Sequence, residues 1–229
     1  MKTLIIDIET APITKERLDS YISAFEPELM VEGDPDWVEV EADEKPKKGA
    51  KKKPKKPKPK VGSKSAKGGL HWLTGQICCV GVLPTDGEPV MFADEDEEVV
   101  LVGLYHYLYD AFPYLTVTFN GAEFDLPFIR MRGLLYGLDF SGLLPLEKFS
   151  KTHIDIYQVL GGKWVLPAKL AEYCWYFGIE DIDDTGAHVA ELFRAGDIEA
   201  IVRHCRGDVI ATEKLYKKVF PGGKRTKKY

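Results

Sequence analysis

The stretch LIIDIET, Leu4–Thr10, carries two patterns that conflict. Leu4, Ile5, Ile6 and Ile8 read as a buried strand, yet Asp7 and Glu9 interrupt them. Strand side chains alternate, so residues two apart share a face and Asp7 and Glu9 project side by side. Two like charges on one face of a core strand are costly unless a cation neutralises them. The stretch therefore asks for the rest of a metal site further along the chain.

Working outward, the order of elements suggests an α/β domain. A short helix is expected over 15–25 after Pro12, and an irregular region follows to about residue 70. GQICCVGVLP supplies a second strand at Ile77–Leu83, and the turn Thr85–Gly87 leads into PVMFA as its hairpin partner. The acidic run DEDEE opens a helix over Glu97–Tyr109, where acids suit the positive end of the dipole. YLTVTFN is a fourth strand ending at Asn120, and the chain then turns through Gly121 into a helix with Asp125 in its first turn. After IDIYQVL come two short helices, near 170–177 and 189–195. The last helix runs from an Asp197 N-cap to Val219, and Pro221 with Gly222 and Gly223 ends it.

Three segments outside the strand bear on chemistry. In the last helix, Ile198, Ile201, Val202, Cys205, Val209, Thr212, Tyr216 and Val219 form a stripe of helical period. Asp208 borders this stripe and His204 precedes it by four residues, which makes them neighbours, either in a site or as a surface pair. Gly207 between them costs about 1 kcal/mol relative to alanine in a helix, so a close approach by the first strand or by a ligand is expected there. In FNGAEFDLP, Asp125 is either a helix-start acid or a ligand, and Asn120 either a turn residue or a substrate contact.

Taken together, DIET, NGAEFDLP and HCRGD resemble the three exonuclease motifs of the DEDD superfamily of 3′→5′ exonucleases. The resemblance is greatest to predicted exonucleases related to the exonuclease domain of family B DNA polymerases, and it covers most of the chain outside about residues 13–70. It implies a ribonuclease H-like fold, a mixed sheet flanked by helices. It also implies that Asp7, Glu9, Asp125 and Asp208 bind two divalent cations, Mg²⁺ or Mn²⁺. Asn120, Thr10 and Phe124 become candidate substrate contacts, Phe124 also by packing that aims Asp125. The implied reaction is hydrolysis of single-stranded or frayed DNA 3′ ends to nucleoside monophosphates, with replication or repair proteins as partners in trans. RNA ends, or nucleic-acid binding without chemistry, are the alternatives. His204 departs from the family pattern, standing where one branch has Tyr, four residues before the last Asp. A neutral imidazole can take a proton near neutral pH, so His204 is placed among the candidate catalytic residues.

Composition sets limits on this reading. The segment Lys45–Lys67 holds 12 of the 31 basic residues and no acid, and subtracting those charges from the net −5 leaves −17 elsewhere. Its prolines and scarcity of apolar residues predict a low-complexity insert at about 41–69 that does not pack, interrupting one domain over 1–229. It is read as a spacer or as an electrostatic tether for nucleic acid. Cys78, Cys79, Cys174 and Cys205 lack CxxC spacing, which points to reduced, buried thiols. No apolar run approaches the roughly 20 residues that span a bilayer, and no signal-peptide pattern precedes LIIDIET. A soluble, cytoplasmic protein without membrane association is expected. Glu123 and Asp155 are expected as surface or supporting acids. Tyr173, Trp175, Tyr176 and Phe177 are expected to pack in the core, with base stacking as the alternative, which also applies to His71 and Trp72. Arg130 and Lys169 are candidate phosphate contacts. No GxGxxG or Walker-type loop suggests a nucleotide cofactor.

Overall fold

The computed structural model describes residues 2–14, 17, 70–85, 87–145, 150–179 and 188–222. The helix expected over 15–25, apart from residue 17, and the Lys-rich insert lie outside the described residues.

The chain forms a five-stranded mixed sheet with helices on both faces, as the sequence led us to expect. Strand β1 is Lys2–Pro12, β2 is Gly75–Pro84, β3 is Val90–Ala93, β4 is Tyr114–Thr118 and β5 is His153–Asp155. Their order across the sheet is β3-β2-β1-β4-β5. β1 runs antiparallel to β2 and parallel to β4, β3 closes the expected hairpin with β2, and β5 lies parallel to β4. A central strand with both faces covered must be apolar throughout, which is why β1 reads as an almost continuous hydrophobic run.

Alternation along β1 separates two cores. Leu4, Ile6 and Ile8 pack against α1, Glu97–Ala111, and α2, Asp125–Leu135, through Leu101, Leu104, Leu126 and Ile129. Ile5, on the other face, joins Val209, Leu215 and Tyr216 of α7, Ile198–Val219. The short helices between are α3, Ile156–Val159, α4, Gly162–Val165, α5, Leu170–Tyr176, and α6, Val189–Arg194. In α7 the expected stripe is the buried one, and the Asp197 carboxylate accepts from the Ala200 N–H at 3.0 Å as its N-cap.

Several local expectations need correcting. β4 stops at Thr118, two residues earlier than expected, because Asn120 takes a left-handed φ of 64° that no strand accommodates. Glu97 is more than a helix-start acid. It is buried, forms an ion pair with Arg132 of α2, accepts from Tyr136 Oη, and receives the Ile77 N–H of β2 at 2.6 Å. A single carboxylate thus ties α1, α2 and β2 together, and Arg132 supplies the countercharge that its burial requires. Trp175 and Tyr176 are not core residues, being 82% and 76% exposed. The short helix α5 turns only Tyr173 and Cys174 fully inward. Gly207 has open space around its α-carbon, so β1 makes no close approach there. The helix that does come close meets Gly81 of β2, where a β-carbon would lie 2.8 Å from Val209 Cγ1.

Candidate metal centre

Pairing between β1 and β4 ends at Ile5 and Val117. Beyond that point β1 continues through Asp7 and Glu9 while the other chain turns away, so a cleft opens at the carboxyl end of the parallel pair. Such a crevice is the usual ligand position in open α/β sheets. Asp125 closes its floor: its Oδ1 accepts the Ile8 N–H at 3.1 Å, a donor that β4 no longer reaches.

The turn that delivers Asp125 is held by Asp155. The Asp155 carboxylate accepts from the Asn120 N–H at 2.9 Å and the Ala122 N–H at 3.0 Å, and it also caps α3 through the Gln158 N–H. Asp155 is buried, a supporting acid rather than a surface one. Gly121 fits this turn because a β-carbon there would lie 2.5 Å from Thr118 Cβ. Glu123 remains exposed and pairs with Lys163 Nζ at 2.7 Å.

From the other face, α7 contributes His204 and Asp208. His204 is only 5% exposed, which excludes a surface pair. Its Nε2 lies 3.4 Å from Glu9 Oε1 and 3.7 Å from Asp208 Oδ2. Asp7, Glu9, Asn120, Phe124, Asp125, His204 and Asp208 therefore line one cleft of about 370 Å³, joined by Phe119, Tyr157 and Lys169. Thr10 does not line it, because alternation turns its side chain away from the face of Glu9. Arg130 is likewise absent from the lining, and Lys169 is present. Phe124 packs on Phe128 at a tilt of 58°, ring centroids 5.5 Å apart, immediately before Asp125.

Burial and mutual charge act against ionisation of these acids. Burial, then the charges of Asp125, Glu9 and Asp208, push the Asp7 carboxyl well above the usual carboxylate range. Burial and Asp208 do the same to Glu9. Burial raises Asp125 to about 7 against the opposing hydrogen bonds from its own backbone N–H and that of Ile8. Carboxylates gathered this way fit hard divalent cations, which would restore the ionised form. Two sets of donor atoms each lie within 4.8 Å of one another: Glu9, His204 and Asp208, and Asp7, Glu9 and Cys205. In the second set Cys205 is a poor ligand. A hydrogen bond with Cys79, burial and the nearby acids hold its thiol well above its ordinary value, and the Sγ lies 3.8 Å from Asp7 Oδ2 as a weak donor.

Sequence reasoning missed the contact of His204 with Glu9, since spacing on the helix gave only its neighbour Asp208. It also missed the use of the Cys78–Cys79 pair. The β1–β2 register shifts between Glu9 and Thr10, which makes Cys78 the extra residue of a bulge. The bulge lets both thiols sit in one cluster with Cys205 under α7, where a regular strand would have separated them. All four cysteines are free and buried, as expected.

Among the described residues no helix is long and apolar enough to cross a membrane. No curated protein matches the chain. A family B DNA polymerase from the hyperthermophilic archaeon Pyrobaculum calidifontis is similar in structure, with a TM-score of 0.59 at 19% identity. The match covers 96% of this chain and 25% of the polymerase chain, so it shows the fold. A family model described as a predicted 3′-5′ exonuclease related to the exonuclease domain of PolB matches residues 77–221, which include Asn120, Asp125, His204 and Asp208. The chain belongs to this family of predicted 3′-5′ exonucleases related to the exonuclease domain of family B DNA polymerases.

Proposed function

We propose that the protein is a metal-dependent 3′→5′ exonuclease that removes nucleotides from single-stranded or frayed DNA ends. The observation that carries this reading is the convergence of Asp7, Glu9, Asp125 and Asp208 from β1, α2 and α7 on one cleft. Divalent cations held by these carboxylates supply Lewis-acid polarisation and neutralise the charge that develops at phosphorus. The reaction adds water to the terminal phosphorus, breaks the bond to the penultimate O3′ and returns a proton to that oxygen. A nucleoside monophosphate leaves.

The chain's own groups have separate roles. Asp125 and Asp7 form the floor and one wall, and the hydrogen bond from Ile8 keeps Asp125 from turning out of the cleft. His204 Nε2 faces Glu9 and Asp208, where an imidazole can take and release a proton. Asn120, Phe124 and Lys169 line the cleft with the acids, which supports Asn120 and Phe124 as contacts for the terminal nucleotide and Lys169 as a contact for a phosphate. An imidazole nitrogen among carboxylates favours Mn²⁺ over Mg²⁺, which prefers oxygen donors.

The contact of His204 with two carboxylates also favours a second reading, a nucleic-acid-binding module without chemistry. An imidazolium between Glu9 and Asp208 would take over part of the neutralising role of a cation. Digestion of a 5′-labelled single-stranded DNA with Mn²⁺ or Mg²⁺ separates the two readings. A shortening ladder that requires metal and vanishes in Asp7→Ala supports the exonuclease. Measurable DNA binding with no shortening under either metal supports the binding module.

A further inference from the structure

A second concave site lies against the other half of α2. It is a cavity of about 480 Å³ enclosed by β4, α2 and the segments that flank β5. It shares no lining residue with the catalytic cleft. Its polar side carries Arg130 and the hydroxyl residues Thr116, Ser141, Ser150 and Thr152. Phe112, Pro113, Leu143 and Pro145 form an apolar side. Among the described residues no acid is in the lining, in a chain whose net charge outside the Lys-rich segment is −17.

Two observations bear on whether these groups have partners within the chain. Thr116 is wholly buried, and its Oγ1 has no hydrogen-bond partner among the described residues. A buried hydroxyl left without a partner costs about 1–3 kcal/mol, whereas valine would fill the same space without that cost. The neighbouring Thr118 hydroxyl, on the same face of β4, is satisfied by His153 Nε2 at 2.9 Å. Among the described residues Arg130 makes no ion pair within 4.0 Å. Asp139 is nearby but exposed, and it is lowered by its hydrogen bonds from Ser141 ahead of any effect of Arg130.

We propose that this cavity binds a phosphate monoester of mononucleotide size. A guanidinium with several hydroxyls matches the oxygens of a phosphate group. The volume and the apolar side exceed what an inorganic ion needs and suit a planar ring. The site stands independently of the exonuclease reading. Its position gives it a route to the cleft, because Arg130 follows Asp125 by five residues on α2, about 7.5 Å along the axis.

The test is calorimetric titration of the full-length, Mn²⁺-loaded protein with deoxyadenosine monophosphate and with inorganic phosphate. The variants are Arg130→Gln, Thr116→Val, Thr116→Ser and Asp125→Asn. Nucleotide binding that weakens about tenfold or more in Arg130→Gln and in Thr116→Val, and persists in Thr116→Ser and Asp125→Asn, is the expected result. Binding lost in Asp125→Asn and retained in Arg130→Gln would place the nucleotide in the catalytic cleft and overturn the proposal. Inorganic phosphate binding as tightly as the nucleotide would overturn the size assignment. Unchanged stability together with unchanged affinity in Thr116→Val would show that water satisfies the hydroxyl, which removes Thr116 from the site.

Discussion

Asp125, one of the acids of the proposed metal centre, is buried at the base of the cleft. Its folded-state value of about 7 lies above its ordinary 3.8, so the folded protein binds this proton more tightly than the unfolded chain does. Its contribution to stability is complete below about pH 4 and is lost as pH rises through about 7. Asp7 and Glu9 are raised as well and act in the same direction. In EDTA the melting temperature should therefore fall between about pH 5 and about pH 8. Asp125→Asn keeps an acceptor for the Ile8 N–H, so it should reduce this fall while abolishing cleavage. A melting temperature independent of pH in both proteins would refute the account. His204 makes a different prediction: His204→Ala should lower turnover by about a hundredfold or more with little change in DNA affinity, and His204→Tyr should shift the metal preference from Mn²⁺ toward Mg²⁺. Unchanged turnover in His204→Ala would leave the residue a structural bridge between Glu9 and Asp208.

At the scale of elements, the cleft depends on a turn and on a helix approach. The turn 119–124 has a left-handed residue at Asn120, which asparagine tolerates better than most side chains. Two of its backbone N–H groups, those of Asn120 and Ala122, fix it to Asp155. Asp155→Ala should cost about 2–3 kcal/mol in chemical denaturation, and metal affinity should fall because Asp125 loses its support. Unaltered metal affinity would show that packing of Phe124 on Phe128 suffices to place Asp125. The approach of α7 depends on Gly81, which leaves room for Val209 and Cys205 under the sheet. Asp208 is carried in with them. No local pattern signals this dependence, since Gly81 and Asp208 are far apart in the chain and a glycine in a strand has several explanations.

For the molecule as a whole, charge decides how a substrate is met. The body is strongly acidic and the basic charge is concentrated in Lys45–Lys67. Deleting that segment should weaken single-stranded DNA binding and flatten its salt dependence while leaving metal binding intact, because lysines near phosphates act through counterion release. Equal affinity at low salt with and without the segment would refute the tether. The sequence by itself determined the strand–helix order and the apolar face of α7, and its resemblance to the three exonuclease motifs offered Asp7, Glu9, Asp125 and Asp208 as a candidate set. The order and the apolar face are local features, since periodicity and caps act within a few residues. Only the tertiary structure decided which neighbours those acids have. The contact of His204 with Glu9, the support of Asp125 by Ile8 and Asp155, and the burial of Glu97 against Arg132 join residues far apart in the chain. Such contacts arise from packing between elements, which no local pattern encodes.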